Sequence, residues 1–250
     1  MENRMLLSNY LTCYKPFILS LTHEKAVKKA ELLNKQFLME RNRQIEMYYA
    51  PHNEYINASA KVMIIGLTPG WIQMRNALAE AKTCIQAGLS DIEVCKRAKQ
   101  VASFSGPMRA YLITMLEALE LHHYLRISSC ETLFQGNWHM LHTTSLLRFP
   151  VFVAHKNYSG SNPSLLKNEY LYHKATQYIQ EELSIVAARR LIIPLGKTVE
   201  GVLKRLVQRE VLDKSKILWG FPHPSGANGN RFKQFAEHQE AMKRIIKQSL

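Results

Sequence analysis

Two short stretches of the chain hold side chains whose types and spacing suit chemistry. The first is Phe221-Pro222-His223-Pro224-Ser225-Gly226-Ala227-Asn228-Gly229-Asn230-Arg231. Prolines on both sides of His223 fix the backbone and limit the freedom of the ring, so the imidazole is a preorganised donor for developing negative charge. Ser225 can bind a phosphate. The second stretch is Gly66-Leu67-Thr68-Pro69-Gly70-Trp71. Its glycines let the backbone approach a ligand and aim N–H groups at it, and Thr68 adds one hydroxyl. Taken alone, that turn is an ordinary strand-to-helix connection.

Other candidates are weaker. Leu195-Gly196-Lys197-Thr198 resembles the end of a P-loop, but position 191 is Leu where the pattern needs its first glycine; the simpler reading is a helix start with Lys197 near a phosphate. His139-x-x-His142 would place two imidazoles on one helical face, with no carboxylate or thiolate nearby in sequence to complete a metal site. The cysteines, Cys13, Cys84, Cys95 and Cys130, form no C-x-x-C pair. Free thiols are expected, with no metal, iron-sulfur cluster or other cofactor.

The elements that must position these loops can be read from periodicity. Residues 22–45 read as an amphipathic helix through Ala26, Ala30, Leu33, Phe37 and Leu38. The apolar run Val62-Met63-Ile64-Ile65 reads as a buried strand emptying into the Gly66 loop. Two helices are expected in 72–103, the second capped by Ser90, and a third over 107–121. Residues 139–153 read as a strand then a loop that includes Asn157-Tyr158-Ser159-Gly160. A helix over 168–187, a strand over 191–196, a helix over 198–209, a strand over 217–221 and a last helix from Asn230 complete the chain. This alternation predicts an α/β fold of three layers (α/β/α) with a mainly parallel central sheet. It reads as one domain, residues 1–250, with an N-terminal helical extension (1–50) and a helical insertion (72–103). On such sheets ligands bind at the carboxyl ends of the strands, so the loops after Ile65, Leu195 and Phe221 should converge.

Composition sets the partner class. Of 250 residues, 33 are Lys or Arg and 20 Asp or Glu, a net charge of +13. Such a field concentrates polyanions, and nucleic acid is the expected partner. No apolar stretch approaches the ~20 residues that span a bilayer, and the N-terminus lacks a secretory pattern. A cytoplasmic protein with no membrane partner is expected.

Together these loops resemble the uracil-DNA glycosylase superfamily, whose members pair a strand-end loop of the type G-x-[ND]-P-G with a late H-P-S loop. Here they stand as Gly66-Leu67-Thr68-Pro69-Gly70 and His223-Pro224-Ser225. Ser103-Phe104-Ser105-Gly106, followed by a leucine-rich helix, looks like the segment bearing the family's base-stacking Phe, and residues 191–196 look like its penultimate strand. The resemblance spans roughly residues 50–245. It implies an enzyme that binds DNA, flips a nucleotide and hydrolyses its N-glycosidic bond without a metal. His223 would stabilise the departing base anion and Phe104 would stack on the base. Gly66, Leu67, Pro69, Gly70 and Trp71 would shape the pocket. Ser225, Gly226, Asn228, Asn230, Arg231 and Lys197 would meet DNA, with Arg231 or Asn228 filling the gap left by the flipped base.

Two departures shape the expectation. Thr68 stands where the family places Asp or Asn to position water, and a threonine hydroxyl cannot accept a proton at neutral pH; Glu54 is a candidate substitute. Ser145 stands where the family places an Asn that pairs with uracil, and a hydroxyl cannot replace a bidentate amide. The resemblance therefore points to a base other than uracil, such as a heavily modified cytosine of phage DNA, with a role in antiviral defence. Asn157 and Tyr158 would read the substituent. The alternatives are a repair glycosylase for uracil or another deaminated base, and a catalytically silent DNA-binding member.

Overall fold

A computed structural model describes residues 5–22, 28–186 and 190–249. Strand β3 (Val62–Gly66) is buried along its whole length. Its side chains divide by parity: Val62 and Ile64 join one apolar cluster, Met63 and Ile65 another. A strand apolar on both faces needs a layer on each. One layer is built from α3 (Trp71–Gln86), α4 (Asp91–Ala102), α7 (Glu169–Ile185) and α8 (Lys197–Gln208), through residues such as Leu78, Ala98, Ile179 and Val202. The other comes from α5 (Pro107–Ala118), α6 (Leu121–Leu125) and α9 (Arg231–Ser249), through Leu116, Leu125 and Met242. β4 (Leu141–Ser145) and β7 (Leu191–Pro194) flank β3 in parallel, in the order β4-β3-β7. The expected three-layer α/β architecture with a parallel sheet is thus present.

Three expectations are corrected. Residues 22–45 are not one helix. Residues 23–27 lie outside the described residues, α2 (Lys29–Leu32) is a single turn, and β1 (Leu38–Asn42) and β2 (Ile45–Tyr48) form a hairpin. β2 pairs with β5 (Val151–Val153), which pairs with β6 (Lys156–Asn157), giving a second, antiparallel sheet in the order β1-β2-β5-β6. The long-range partner, about a hundred residues on, overrides the local helical period. The segment 1–50 is therefore not a helical extension, although it does contain α1 (Tyr10–Ser20). Finally, the strand expected over 217–221 shrinks to a single parallel bridge from Ile217 to Ile192, and the chain turns at Gly220 (φ +83°).

A buried polar network holds β4 and the loop after it. His142 lies on β4, whereas His139 lies in the turn before it, so the two share no helical face. A carboxylate does reach His142, from forty residues on: Glu182 of α7 lies 3.0 Å from His142 Nε2, accepts from the Thr144 hydroxyl at 2.9 Å, and pairs with Arg148 at 3.4 Å. Asn57 N–H donates to His142 Nδ1 (3.4 Å), so Nε2 carries the ring proton toward Glu182. Lys99, also buried and pushed down to about 8 by that burial, donates to the Thr143 carbonyl.

Acid should dismantle this interior. Burial, together with the charge of Lys99, lowers His52 to about 3 and His142 to about 4, from 6.5 in the unfolded chain. Below pH 6.5 the unfolded chain binds more protons, so stability falls as pH falls toward those folded values. Each histidine should contribute roughly 1.4 kcal/mol per pH unit inside that window. Urea unfolding midpoints at pH 7.5 and pH 5 check this: a marked drop at pH 5 is expected, and it should shrink in His52→Gln.

Candidate active site

The strand-end loops meet through close approaches at small residues. Gly196, between β7 and α8, has φ +89° and ψ 166°, a conformation essentially restricted to glycine. Its N–H donates to the Phe221 carbonyl at 3.0 Å, and an added Cβ would lie 3.0 Å from that of His223. At Gly160 an added Cβ would lie 3.0 Å from Leu67 and 3.1 Å from Thr198, which joins the first loop to the β7–α8 loop. At Gly66 it would lie 3.3 Å from the Phe104 ring and 3.4 Å from Ser145 Oγ. Asn157 completes the ring: its Oδ1 accepts the Trp71 N–H at 3.0 Å, at the start of α3. Gly196→Ala is expected to cost about 1–3 kcal/mol through the backbone alone. It should also displace His223, so denaturant midpoint and activity should fall together.

His223 is held in one tautomer. The Ser225 N–H donates to its Nδ1 at 3.3 Å, so the neutral ring carries its proton on Nε2. Burial lowers its pKa below the usual 6.5, which keeps it neutral at pH 7. It borders a cleft of about 710 Å³ between α8 and α9, lined also by Lys197, Lys204, Trp219, Asn228 and His238. Phe104 and Ser145, each 5% exposed, are not among the residues that bound this cleft.

Several expected roles do not fit the geometry. Glu54 is fully buried, and both carboxylate oxygens are occupied, by the hydroxyls of Ser8 and Tyr49 and the N–H of Tyr10. Burial raises its pKa against those bonds, and its partners belong to the α1 side of the core. It braces that layer and is not offered to the loops. The Thr68 hydroxyl donates to the Phe149 carbonyl and accepts from the Val151 N–H, both at 3.0 Å. It therefore clips the first loop to β5. Tyr158 is buried, and its hydroxyl donates to the Pro163 carbonyl; only Asn157 of that pair is exposed.

Around the late loop, Asn228 donates to the His223 carbonyl (3.2 Å) and to Gln234 (3.0 Å), and the Arg231 guanidinium lies 4.0 Å from the Tyr111 ring centre. Neither is free to fill a gap in a duplex. Ser225 is half-buried, whereas Gly226, Asn230 and Lys197 are exposed. Sequence reading missed Phe232. It is 47% exposed in the first turn of α9 and packs edge-on to Tyr111. Its helical spacing from buried Phe235, Met242 and Ile246 is that of a core stripe, so nothing in the sequence sets it apart.

Across 222 residues the chain is 40% identical to the uncharacterized protein YoxB of Bacillus subtilis (strain 168), covering 89% of this chain and 87% of that protein. The chain belongs to the YoxB family. No protein-family model matches it. The crystal structure of wild-type Pedobacter heparinus SMUG2 aligns with a TM-score of 0.45 at 12% identity, over 93% of this chain and 97% of that one. In this YoxB-family chain no described helix is long and apolar enough to cross a membrane.

Proposed function

We propose that the protein is a monofunctional DNA glycosylase that extrudes a base and hydrolyses its N-glycosidic bond, leaving an abasic site. The observation that carries this reading is His223: a neutral imidazole, held by Pro222, Pro224 and the Ser225 N–H, with its Nε2 proton available at the meeting of the strand-end loops. As the bond from C1′ to the base breaks, its electron pair passes to the base. A hydrogen bond from Nε2–H then stabilises the anion. Water adds its oxygen to C1′, and its proton balance ends on the base. With the Thr68 hydroxyl and the Glu54 carboxylate committed elsewhere, leaving-group stabilisation is the main catalytic device.

Phe104 and Ser145, set against Gly66, are the groups proposed to receive the base. The hydroxyl of Ser145, in place of an amide, favours a base other than uracil, including modified cytosines of foreign DNA. The net charge of +13 supports DNA as the partner. Phe232 is proposed to enter the stack where the base leaves it. Because it is exposed, Phe232→Ala should fold normally while base release at sub-saturating DNA slows about tenfold, the scale of one lost aromatic–base stack.

A panel of DNAs carrying uracil, ethenocytosine, hydroxymethylcytosine or glucosylated hydroxymethylcytosine, treated with alkali to reveal abasic sites, tests the reading. Cleavage of a modified-cytosine substrate that disappears in His223→Ala is the expected result. Efficient cleavage of uracil DNA alone would overturn the proposed base preference. Intact binding with no cleavage of any substrate would favour the silent DNA-binding reading.

A further inference from the structure

Far from His223 in the chain, the end of α5, the short helix α6 and the short helical segment Cys130–Phe134 bring three unlike ligand groups together. The carboxylate of Glu117, the imidazole of His122 and the thiol of Cys130 lie with their ligand atoms within 4.8 Å of one another. We propose that these residues bind one thiophilic divalent metal ion of the zinc type, which clips the three segments together. The donor set of one sulfur, one nitrogen and one oxygen is of the kind zinc takes, with water as the fourth ligand.

Two features separate this cluster from an ordinary polar contact. His122 Nδ1 is buried and 2.7 Å from Glu117 Oε2, outside hydrogen-bond geometry, while the other carboxylate oxygen, Oε1, accepts the Cys130 N–H. The residues bounding α6, Glu120 (φ +59°) and Arg126 (φ +57°), are both left-handed without being glycine. Such a turn is unfavourable by itself and needs a tertiary restraint. Glu117 and His122 are partly exposed, so an ion can enter from solvent, while Cys130 is buried and supplies sulfur from inside. Spacing alone does not reveal the cluster, because its ligands stand five and eight residues apart on three separate elements.

The test is titration of the full chain, reduced and stripped with a chelator, with cobalt(II) and then zinc(II). The expected result is one equivalent bound, a thiolate-to-cobalt band in the near ultraviolet that zinc abolishes, and a higher thermal midpoint with zinc. Cys130→Ser should lose the band. Glu117→Gln, a change at a partly exposed position, should keep the fold and weaken binding at least about tenfold, since even the outer partners of metal ligands are worth 10–100-fold. No band in the wild type would overturn the proposal; a band and affinity unchanged in both variants would overturn it too and assign the binding to Cys13, Cys84 or Cys95.

Discussion

His223→Ala is expected to lower the single-turnover rate of base release by about 10²–10³-fold, the usual effect of removing one preorganised donor to a developing anion. DNA affinity should change little, because the ring acts on charge that exists only as the bond breaks. The held tautomer adds a second expectation. Protonating Nδ1 would set it against the Ser225 N–H that now donates to it. Since burial depresses the pKa of this ring, the rate should stay level from pH 8 down to 6.5 and fall only below that. A rate that rises as the imidazole gains its proton would show that a cationic His223 is the working form.

Glu182→Ala should be the most damaging substitution for stability. Its carboxylate is fully buried and serves His142, Thr144 and Arg148 at once. Burial alone would raise its pKa, but His142, Arg148 and Lys99 outweigh that and hold it below the ordinary glutamate value. Its contribution is therefore present above the unfolded pKa and is lost as pH falls through the lower folded one. Removing it strands the His142 N–H and the Thr144 hydroxyl in the interior and leaves Arg148 to Glu181 and the Tyr178 carbonyl alone, a loss of about 3–5 kcal/mol. Urea unfolding at pH 7.5 measures this, and Glu182→Gln should recover part of it by keeping one acceptor for Thr144. Because β4 ends in Ser145, the same substitution should also loosen the contact between Ser145, Gly66 and Phe104.

The parallel sheet was legible because β3 is a short apolar run ended by glycine, a local signal that survives folding. Six helices, α3, α4, α5, α7, α8 and α9, lie where their apolar periodicity places them, within a few residues. The hairpin at 38–48 was hidden because its burial is supplied by residues 151–153, and no window of the sequence contains both. At the site, the strand order anticipated that the loops after Ile65, Leu195 and Phe221 adjoin, which the approaches of Gly160 to Leu67 and Thr198 and of Gly196 to His223 bear out. It could not say which hydroxyl or carboxylate was already bonded. Thr68 looks free in the sequence and is a clip in the fold; Glu54 looks like a base and is a brace. Arg231 reads as a projecting cation and lies over the Tyr111 and Phe232 rings, and Phe232 is the exposed one of those two rings. The misses at Thr68, Glu54 and Arg231 turn on hydrogen bonds or ring contacts with residues tens of positions away.

The most direct test is to incubate the purified protein with DNA rich in modified cytosine and identify the small product by mass spectrometry. The account predicts a free base, released from wild type and absent with His223→Ala, and an abasic strand of otherwise unbroken backbone. A nucleoside, a nucleotide or an unaltered strand as the only product would contradict it.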